Sequence, residues 1–298
     1  MTSIKEIKLD HLIGMEVGTA TLVSEIARGG MAIVFLAFQR TLRRQIAVKI
    51  LPKSLLSATA ADRFQQEAEA AAILAHPNIV QIYEVGEMPE FLFFTMQLIK
   101  GRTLADYIKR AKKNVLPSRR TLPMKYTLTT IIKVLDALDY AHQQGTIHRD
   151  IKPANIIIED GRNRPVITDF GLARVEGEES LGPETIRGTP VYMAPEQIMK
   201  KEVDGRADVY ATGTMLFEML VSNLPIPKVE TSKELLMKKL ELKDGLFQAS
   251  PSELQSKIDK EMDEIVLKAV SFDREKRFET AREFYKRLEA YLDRHPEL

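Results

Sequence analysis

The chain has 298 residues, of which 44% are hydrophobic, so it is long enough to bury a large core. Its 43 basic residues nearly balance its 42 acidic ones, which excludes a global electrostatic attraction to nucleic acid or to an anionic membrane. The lack of cysteine excludes disulfide bonds, thiolate metal ligands and a thiol nucleophile, and agrees with a reducing compartment.

The first residues give no sign of a leader or an anchor. Residues 1–10 alternate charged and isolated apolar residues, so they lack the continuous apolar stretch of a signal peptide. No uncharged apolar run in the sequence is long enough to span a bilayer. We therefore expect a cytoplasmic chain, either by itself or as the cytoplasmic part of a longer membrane-anchored protein.

The first third of the sequence has the pattern of a β-sheet with one helix. β-Branched and aromatic residues separated by turn signals predict three antiparallel strands within residues 18–51. Helix formers without Gly or Pro predict a helix over 59–75, which the following His-Pro pair ends. Two further strands are predicted over 79–86 and 91–98.

After Gly101 the pattern changes to long helical stretches, the clearest of which are 104–111, 125–143 and 208–221. The fold class that follows is α+β, with a small antiparallel sheet lobe that carries one main helix and a larger, mostly helical lobe. The predicted limits are an N-terminal extension over 1–17, a first lobe over 18–97 and a second lobe over 98–298.

The segment 109–125 is the strongest charge run of the sequence and contains no acidic residue. Such a run is usually a solvated loop between two helices. A docking surface for an acidic partner is the alternative.

A short glycine loop joins the first two strands at Ala27, Arg28, Gly29 and Gly30. Small residues there let backbone amides approach phosphate groups, although two glycines in a tight hairpin also form an ordinary turn. No Walker lysine follows the loop, which excludes a P-loop nucleotide hydrolase.

A lone lysine, Lys49, lies between apolar residues in the third predicted strand. Glu67 on the following helix is a candidate ion-pair partner that would aim the ammonium group at a polyphosphate. The alternatives are a solvent-facing strand lysine and a surface glutamate.

Three blocks in the second half of the sequence carry the strongest signal. They are HRDIKPAN at 148–155, DFG at 169–171 and APE at 194–196. Taken in order with the glycine loop and Lys49, these blocks resemble the motifs of protein kinases. The resemblance runs from about residue 22 to 292 and is strongest to bacterial serine/threonine kinases of the eukaryotic-like type. It implies the bilobal protein kinase fold, with a single catalytic domain over 18–292.

The resemblance implies ATP and Mg²⁺ as cofactors and assigns the reacting groups. Asp150 would orient the substrate hydroxyl and accept its proton, and Lys152 would steady the transferred phosphate. Asn155 and Asp169 would hold Mg²⁺, because hard cations select oxygen ligands.

The nucleotide itself would be held by residues of both predicted lobes. Lys49, oriented by Glu67, would bind the α- and β-phosphates beneath the glycine loop. The groups implied to contact adenine are the side chains and linker backbone of Val34, Ala47, Met96, Gln97, Ile99 and Ile157. Ordinary core packing is the alternative for the apolar members of this set.

The resemblance also indicates the acceptor. Lys152 and Thr189 occupy positions that distinguish serine/threonine kinases from tyrosine kinases, so protein serine and threonine hydroxyls are the expected substrates. Ala154 stands where some arginine-seeking kinases carry an acid, which argues against a strict demand for upstream basic residues.

Residues 169–196 correspond to the activation segment. Thr185 is the expected site of autophosphorylation, with an exposed loop threonine as the alternative, and self-association for phosphorylation in trans is an open expectation. The arginines at positions that converge on such a phosphate are Arg63, Arg149 and Arg174.

Three structural expectations follow from the same resemblance. Glu196 should pair with Arg277, and Asp208 should brace the backbone of the catalytic loop. His148 is expected to pack and form hydrogen bonds within that loop, and no two histidines have the spacing of metal ligands.

Two rival functions stay open. A pseudokinase scaffold is suggested by Ala27 and Ala32, which replace the outer glycines of the usual loop motif. A small-molecule kinase of related architecture is the other rival, against which the complete GTPVYMAPE segment favours a docked polypeptide.

Overall fold

The computed structural model of the protein describes residues 10–29, 32–56, 58–116, 119–170, 190–221 and 223–298. Within residues 58–67 it describes the side chains of 61, 65 and 66 only. The chain divides into two compact units, the first reaching Lys100 and the second beginning at Gly101, with Phe170 grouped with the first. The lobe limits of 97 and 98 that we expect from the sequence stay a prediction.

The first unit contains a six-stranded antiparallel sheet in its described part, with the strand order β1-β2-β3-β4-β6-β5. Its strands are β1 Glu16–Val17, β2 Ala20–Arg28, β3 Ile33–Gln39, β4 Arg44–Pro52, β5 Ile82–Glu87 and β6 Phe91–Gln97. The three antiparallel strands predicted within residues 18–51 are therefore confirmed as β2, β3 and β4. The fifth strand begins three residues later than the predicted 79–86, because the N–H of Ile79 closes a turn with the carbonyl of His76 at 3.0 Å, just before the strand.

One face of this sheet carries the core of the first unit. Successive strand residues point to opposite faces, so the residues of β3 and β4 that belong to this core recur at every second position. The cluster consists of Leu12, Val17, Ala20, Leu22, Ile33, Phe35, Ala37, Ile46, Val48, Ile50, Phe91 and Phe93. The alternate residues of the same strands are thereby directed to the other face.

Helix α1, Ala58–Ala72, is the predicted helix of the first unit, and it ends three residues earlier than the sequence pattern indicates. The N–H of Leu74 binds the carbonyl of Ala71 at 3.2 Å, and this turn closes the helix before the His-Pro pair. Ala68 and Ala71 are buried, so small residues form the inner side of the last turn of α1.

The second unit opens with a small antiparallel sheet of β7 Gly101–Thr103, β8 Ile156–Glu159 and β9 Arg164–Ile167. Glycine is required at its first position: a Cβ atom on Gly101 would lie 2.0 Å from the carbonyl oxygen of Ile158. Strand β8 directly follows the HRDIKPAN block, so this sheet anchors the C-terminal side of that loop.

The helices of the second unit, as described, are α2 Leu104–Lys112, α3 Met124–Gln143, α4 Pro195–Ile198, α5 Arg206–Leu220, α6 Ser232–Leu242, α7 Pro251–Leu254, α8 Lys260–Ala269 and α9 Ala281–Arg294. Helix α3 packs against α5 and α9, and α5 is buried on nearly all sides. The buried positions of α3 recur every three or four residues, as in Leu128, Ile131, Leu135 and Leu138. None of the helices in the described ranges is long and apolar enough to cross a membrane.

Helix α2 begins at a capping box. The hydroxyl of Thr103 accepts a hydrogen bond from the N–H of Asp106 at 3.2 Å, and the carboxylate of Asp106 accepts one from the N–H of Thr103 at 3.3 Å. These bonds satisfy donors that a helix start leaves open. Leu104 and Ile108 turn inward, whereas Lys109 and Lys113 near the helix end are exposed.

Candidate active site

The loop between α3 and β8 carries a carboxylate, Asp150, whose two oxygens have different surroundings. Its Oδ2 accepts hydrogen bonds from Lys152 Nζ at 2.6 Å and from Asn155 Nδ2 at 3.0 Å. Among the residues that the structure describes, no donor binds Oδ1. The carboxylate is about one-third exposed. One oxygen is thus held in place while the other can accept a proton from a docked hydroxyl.

Asn155 is buried beside this carboxylate, and its amide orientation is set by its hydrogen bonds. The Nδ2 group also donates to the backbone carbonyl of Asp150 at 2.8 Å, so both amide hydrogens have acceptors. The amide oxygen is therefore left as a possible ligand for a hard cation.

The donor set for Mg²⁺ would be this amide oxygen and the carboxylate of Asp169. Within the described residues, no group of three or more histidine, aspartate or glutamate side chains could hold a metal. One carboxylate and one amide match Mg²⁺ in particular, because Mg²⁺ commonly completes its octahedron with water and substrate phosphates rather than with protein ligands. The residues present therefore fit the implied ion.

His148 joins the loop to the residue that precedes Asp169. The N–H of Asp150 donates to His148 Nδ1 at 3.2 Å, so Nε2 carries the ring hydrogen and donates to the carbonyl of Thr168 at 2.9 Å. The N–H of Thr168 in turn donates to the carbonyl of Asn155 at 2.9 Å. The predicted packing and hydrogen-bonding role of the fully buried His148 is confirmed.

Asp208, near the start of α5, braces the catalytic loop as predicted. Its fully buried carboxylate accepts the backbone N–H of His148 at 2.9 Å and that of Arg149 at 2.8 Å. A third contact, 2.8 Å long, joins it to His142 Nε2. Burial acts to raise the pKa of Asp208, but the hydrogen bond and charge of His142, with smaller contributions from His148, lower that pKa below its ordinary value.

The backbone of Arg149 has a left-handed conformation, with φ of +66°. Asp169 has φ of +62°, and both conformations are uncommon for residues other than glycine. Arg149 is held on both sides, since its N–H binds Asp208 and its carbonyl accepts Gln197 Nε2 at 2.8 Å. Gln197 also accepts the N–H of Ala194 at 2.9 Å. Sequence reasoning missed Gln197, because no local pattern marks its long-range partner.

Glu196 and Arg277 form the predicted ion pair, which is confirmed as buried and bidentate. The two N···O distances are 2.7 and 2.9 Å. The remaining N–H groups of Arg277 donate to the carbonyls of Ser271, Arg206 and Phe272. Full satisfaction of both charges is what makes their burial tolerable.

Lys239 on α6 is a second residue that sequence reasoning missed. It is 1% exposed, and its ammonium group donates to the carbonyls of Val191 and Met193, each at 2.7 Å. Burial lowers the pKa of Lys239 to about 7, the charge of Arg277 acts in the same direction, and Glu196 opposes both. A signal was present: Lys239 lies three and four positions after the apolar Leu236 and Leu235, on the same helical face.

The sheet of the first unit gathers four of the predicted nucleotide residues on the face opposite its core. Lys49 of β4 lies beside Val34 of β3 and Phe94 of β6, and its ammonium nitrogen is 5.9 Å from the Phe94 ring centroid. Two residues further along the same strands, Ala47 lies beside Met96. Because residues two apart share a face, Val34, Ala47, Lys49 and Met96 lie together.

The glycine loop is described on its two sides. The N–H of Gly29 binds the carbonyl of Ala32 at 2.8 Å, which closes the turn between β2 and β3. The register pairs Ala27 with Val34. The side chain of Arg28 is bonded to Glu25 at 2.6 Å, so a contribution of Arg28 to phosphate binding would come from its backbone.

The remaining predicted adenine contacts lie at the end of β6, just past it and in β8. The N–H of Gln97 donates to the carbonyl of Gln81 at 2.8 Å, so Gln97 could offer a purine only its carbonyl, as we expect. Ile99 is half-buried just past β6. Ile157 of β8, in the second unit, is half-buried while Ile156 and Ile158 on either side are fully buried.

Several predicted residues lie outside the described parts of the chain. These are Gly30, Arg174, Thr185 and Thr189, together with the side chains of Arg63 and Glu67. Arg149 is described: the residue is half-buried, and no described acidic group forms an ion pair with its guanidinium.

Comparison with known proteins agrees with these motifs. The family model of the protein kinase domain matches residues 20–287. A probable serine/threonine-protein kinase of Streptomyces coelicolor is 36% identical over 283 residues, covering 91% of this chain and 39% of that protein. Serine/threonine-protein kinase PrkC of Bacillus subtilis is 32% identical over 286 residues, covering 95% and 42%. Tyrosine-protein kinase MasK of Myxococcus xanthus is 32% identical over 297 residues, covering 93% and 44%. The chain thus spans about two-fifths of the length of these curated relatives.

Among solved structures, the kinase domain of PknI from Mycobacterium tuberculosis matches with a TM-score of 0.74 and 26% identity, covering 94% of this chain and 98% of that one. The predicted α+β kinase fold and the resemblance to bacterial kinases are confirmed. From the family match, the fold and the motif residues together, this chain belongs to the protein kinase domain family.

Proposed function

We propose that the chain is a serine/threonine protein kinase, which transfers the γ-phosphoryl group of ATP to hydroxyl groups of proteins. One observation carries this proposal above the others. The carboxylate of Asp150 has Oδ2 fixed by Lys152 and Asn155, whereas no described residue donates to Oδ1. That is the arrangement needed to orient a hydroxyl and accept its proton.

Magnesium-bound ATP would supply the transferred phosphoryl group and neutralise part of its charge. Asn155 and Asp169 would hold the ion through oxygen atoms, and the left-handed backbone of Asp169 would set the direction of its carboxylate. The ammonium of Lys152, 2.6 Å from Asp150, is suited to balance negative charge on both the carboxylate and an arriving phosphate. Little covalent work is left to the protein beyond this alignment.

Residues of the sheet face would bind the nucleotide. Lys49 would bind the α- and β-phosphates with Glu67 as its orienting partner, and the glycine loop would cover them with backbone amides. Ala47 lies opposite Leu36 and Met96 on the neighbouring strands. Its small side chain, on the same face as Val34, leaves this face low enough for a flat ring to pack on it. The linker groups at Gln97 and Ile99 and the side chain of Ile157 complete the proposed set.

The type of hydroxyl needs a direct test, because a relative 32% identical to this chain is named a tyrosine-protein kinase. Lys152 and Thr189 support serine and threonine. Three peptides that differ only in carrying Ser, Thr or Tyr at one position separate the alternatives. Phosphate incorporation into the Tyr peptide alone would overturn this part of the proposal.

Replacement of Asp150 by Asn tests the proposed chemistry. We expect phosphorylation of a generic protein substrate to fall by about 10² to 10⁴-fold, because the proton acceptor is lost. Asp160→Asn is the matched control, since Asp160 is an exposed carboxylate just after β8. Equal rates for the Asp150 variant and the parent, with unchanged melting of both, would contradict the proposal.

A pseudokinase scaffold is the second candidate, and the observation that favours it is Ala27 and Ala32 in the glycine loop. Alanine is still small, so the loop can approach phosphate. Saturable ATP binding without measurable phosphoryl transfer to any protein would favour the scaffold.

We also propose that the chain phosphorylates itself at Thr185. The guanidinium of the half-buried Arg149, which has no described acidic partner, is a suitable group to receive a phosphate. If the reaction occurs between two copies, the initial rate per molecule rises with protein concentration, whereas an intramolecular reaction gives a constant rate.

A further inference from the structure

A groove in the second unit begins next to the proposed catalytic residues. It has a volume of about 420 Å³ and lies between the end of α2, the catalytic loop and α5. The polar side chains that line this basic groove are Lys109, Lys112, Lys113, Lys152, Tyr192 and Glu218. Since the ammonium of Lys152 is 2.6 Å from Asp150 Oδ2, the groove starts beside the carboxylate that would receive the substrate hydroxyl.

The charges of the basic groove are unbalanced. Four lysines face one carboxylate, and that carboxylate is already engaged. Glu218 accepts a hydrogen bond from Lys112 Nζ at 2.8 Å and another from the hydroxyl of Tyr192. Lys109 and Lys113 are exposed and form no ion pair with any residue in the described ranges. A ligand in the groove therefore meets a positive potential with two unpaired ammonium groups.

The basic groove also accounts for part of a sequence feature that the kinase motifs leave unexplained. Lys109, Lys112 and Lys113 are the first lysines of the acid-free run 109–125. The capping box at Thr103 sets the start of α2, so these lysines are presented by an ordered helix end rather than by a loop alone. Ala154 lines the same groove and adds no negative charge that would attract a basic peptide.

We propose that the basic groove binds acidic side chains of the protein substrate, close in sequence to the hydroxyl that Asp150 receives. The inference rests on the proposed kinase activity and specifies its substrate class. Peptide carboxylates fit the groove because Lys109 and Lys113 can each pair with one at the surface without displacing an existing ion pair.

Matched peptides test this directly. Each contains one threonine flanked on both sides either by glutamates or by glutamines, which have nearly the same shape without the charge. We expect kcat/KM to be about tenfold higher for the glutamate peptide at low salt, because each exposed pair contributes only modestly. The difference should shrink as salt is raised to screen the charges. Fluorescence anisotropy of labelled peptides measures Kd independently of turnover.

Reversing the charge of groove lysines tests whether the preference for the glutamate peptide arises in the basic groove. The double variant Lys109→Glu, Lys113→Glu should lose the preference for the glutamate peptide while its kcat/KM for the glutamine peptide stays unchanged. The control Lys125→Glu, Lys257→Glu changes the net charge equally at exposed lysines that do not line the groove, and it should keep the preference. If the first variant melts at a lower temperature, Lys109→Gln, Lys113→Gln replaces it.

The outcomes are distinguishable from a failure of the proposed function. Equal kcat/KM and equal Kd of the wild-type chain for the two peptides would overturn the groove proposal even if both are phosphorylated. Retention of the preference by the Lys109, Lys113 variant would overturn it as well. If neither peptide is phosphorylated, transfer to the generic protein substrate decides the kinase proposal, and the two Kd values still decide whether the groove selects acidic peptides.

Discussion

The carboxylate of Asp208 accepts the backbone N–H of Arg149 at 2.8 Å, although 59 positions separate the two residues. Its other oxygen accepts the N–H of His148. These bonds help to hold the left-handed backbone of Arg149, which directly precedes Asp150. The position of the proposed proton acceptor thus depends on a buried charge in a different helix.

Asp208→Asn should weaken both the fold and the catalysis. An amide presents one acceptor oxygen and one NH₂ group, so a backbone N–H of the loop would face a donor instead of an acceptor. We expect the loss of a buried charged acceptor to cost about 2–3 kcal/mol, with a fall in kcat. Thermal melting and peptide phosphorylation measure the two effects. An unchanged melting temperature would contradict the role of Asp208 as a brace.

The buried Asp208 also makes the stability of the folded chain depend on pH. The pKa of Asp208 is lowered in the folded chain, so its stabilising effect is fully present above the ordinary carboxylate pKa and is lost as pH falls through the folded value. The stability difference between the wild-type chain and Asp208→Asn should therefore be constant near neutral pH and shrink only in acid. A difference that shrinks between pH 7 and pH 9 would contradict this assignment.

Arg277→Ala should cost stability more than nucleotide binding. The variant leaves Glu196 buried without its partner, for which about 3–5 kcal/mol is typical. Arg282→Ala is the matched control: Arg282 pairs with Asp136 at 3.0 Å on the surface, where such a pair contributes little. Melting and ATP titration should show a lower melting temperature for the first variant alone. Weakened ATP binding without destabilisation would be the contrary result.

Because Lys239 is buried, we expect the free energy of unfolding to increase as pH rises above neutral. Its folded pKa is about 7, well below that of an unfolded lysine, so between these values the unfolded chain binds a proton that the folded chain releases. Folding is therefore favoured as pH rises through this window, by on the order of 2 kcal/mol between pH 7 and 9.

Lys239→Met removes this contribution, so the stability of the wild-type chain relative to the variant should rise from pH 7 to pH 9 in urea unfolding. Lys238→Met is the control, because Lys238 is partly exposed and pairs with Glu241 at 3.0 Å. If the difference in the free energy of unfolding between wild type and Lys239→Met does not change with pH, the lysine stays charged when buried.

After incubation with ATP, the Thr185→Ala variant should carry one phosphate group fewer than the wild-type chain. Intact mass after incubation with ATP and Mg²⁺ measures the loss, and the rate on a peptide should fall because the new charge-assisted bonds to arginine cannot form. Ser180→Ala is the control within the same segment. Unchanged mass and unchanged activity of the Thr185 variant would remove this site from consideration.

Much of the architecture is predictable because it depends on the periodic pattern of apolar residues within each strand or helix. Alternation along residues 32–51 predicts two strands, and the same alternation places Val34, Ala47 and Lys49 on one face. The limits of elements are less predictable: α1 ends at Ala72, since the closing turn competes with helical propensity at the following residues.

The sequence by itself determined the family and the groups that we propose to react, because Asp150, Asn155 and Asp169 occur in contiguous motifs whose order and spacing are visible without a fold. Only the tertiary structure decided that Gln197 binds the carbonyl of Arg149, and that Lys109 and Lys113 line a groove with Lys152. Such contacts join segments tens of residues apart, and they depend on how whole helices pack, which no short stretch of sequence records.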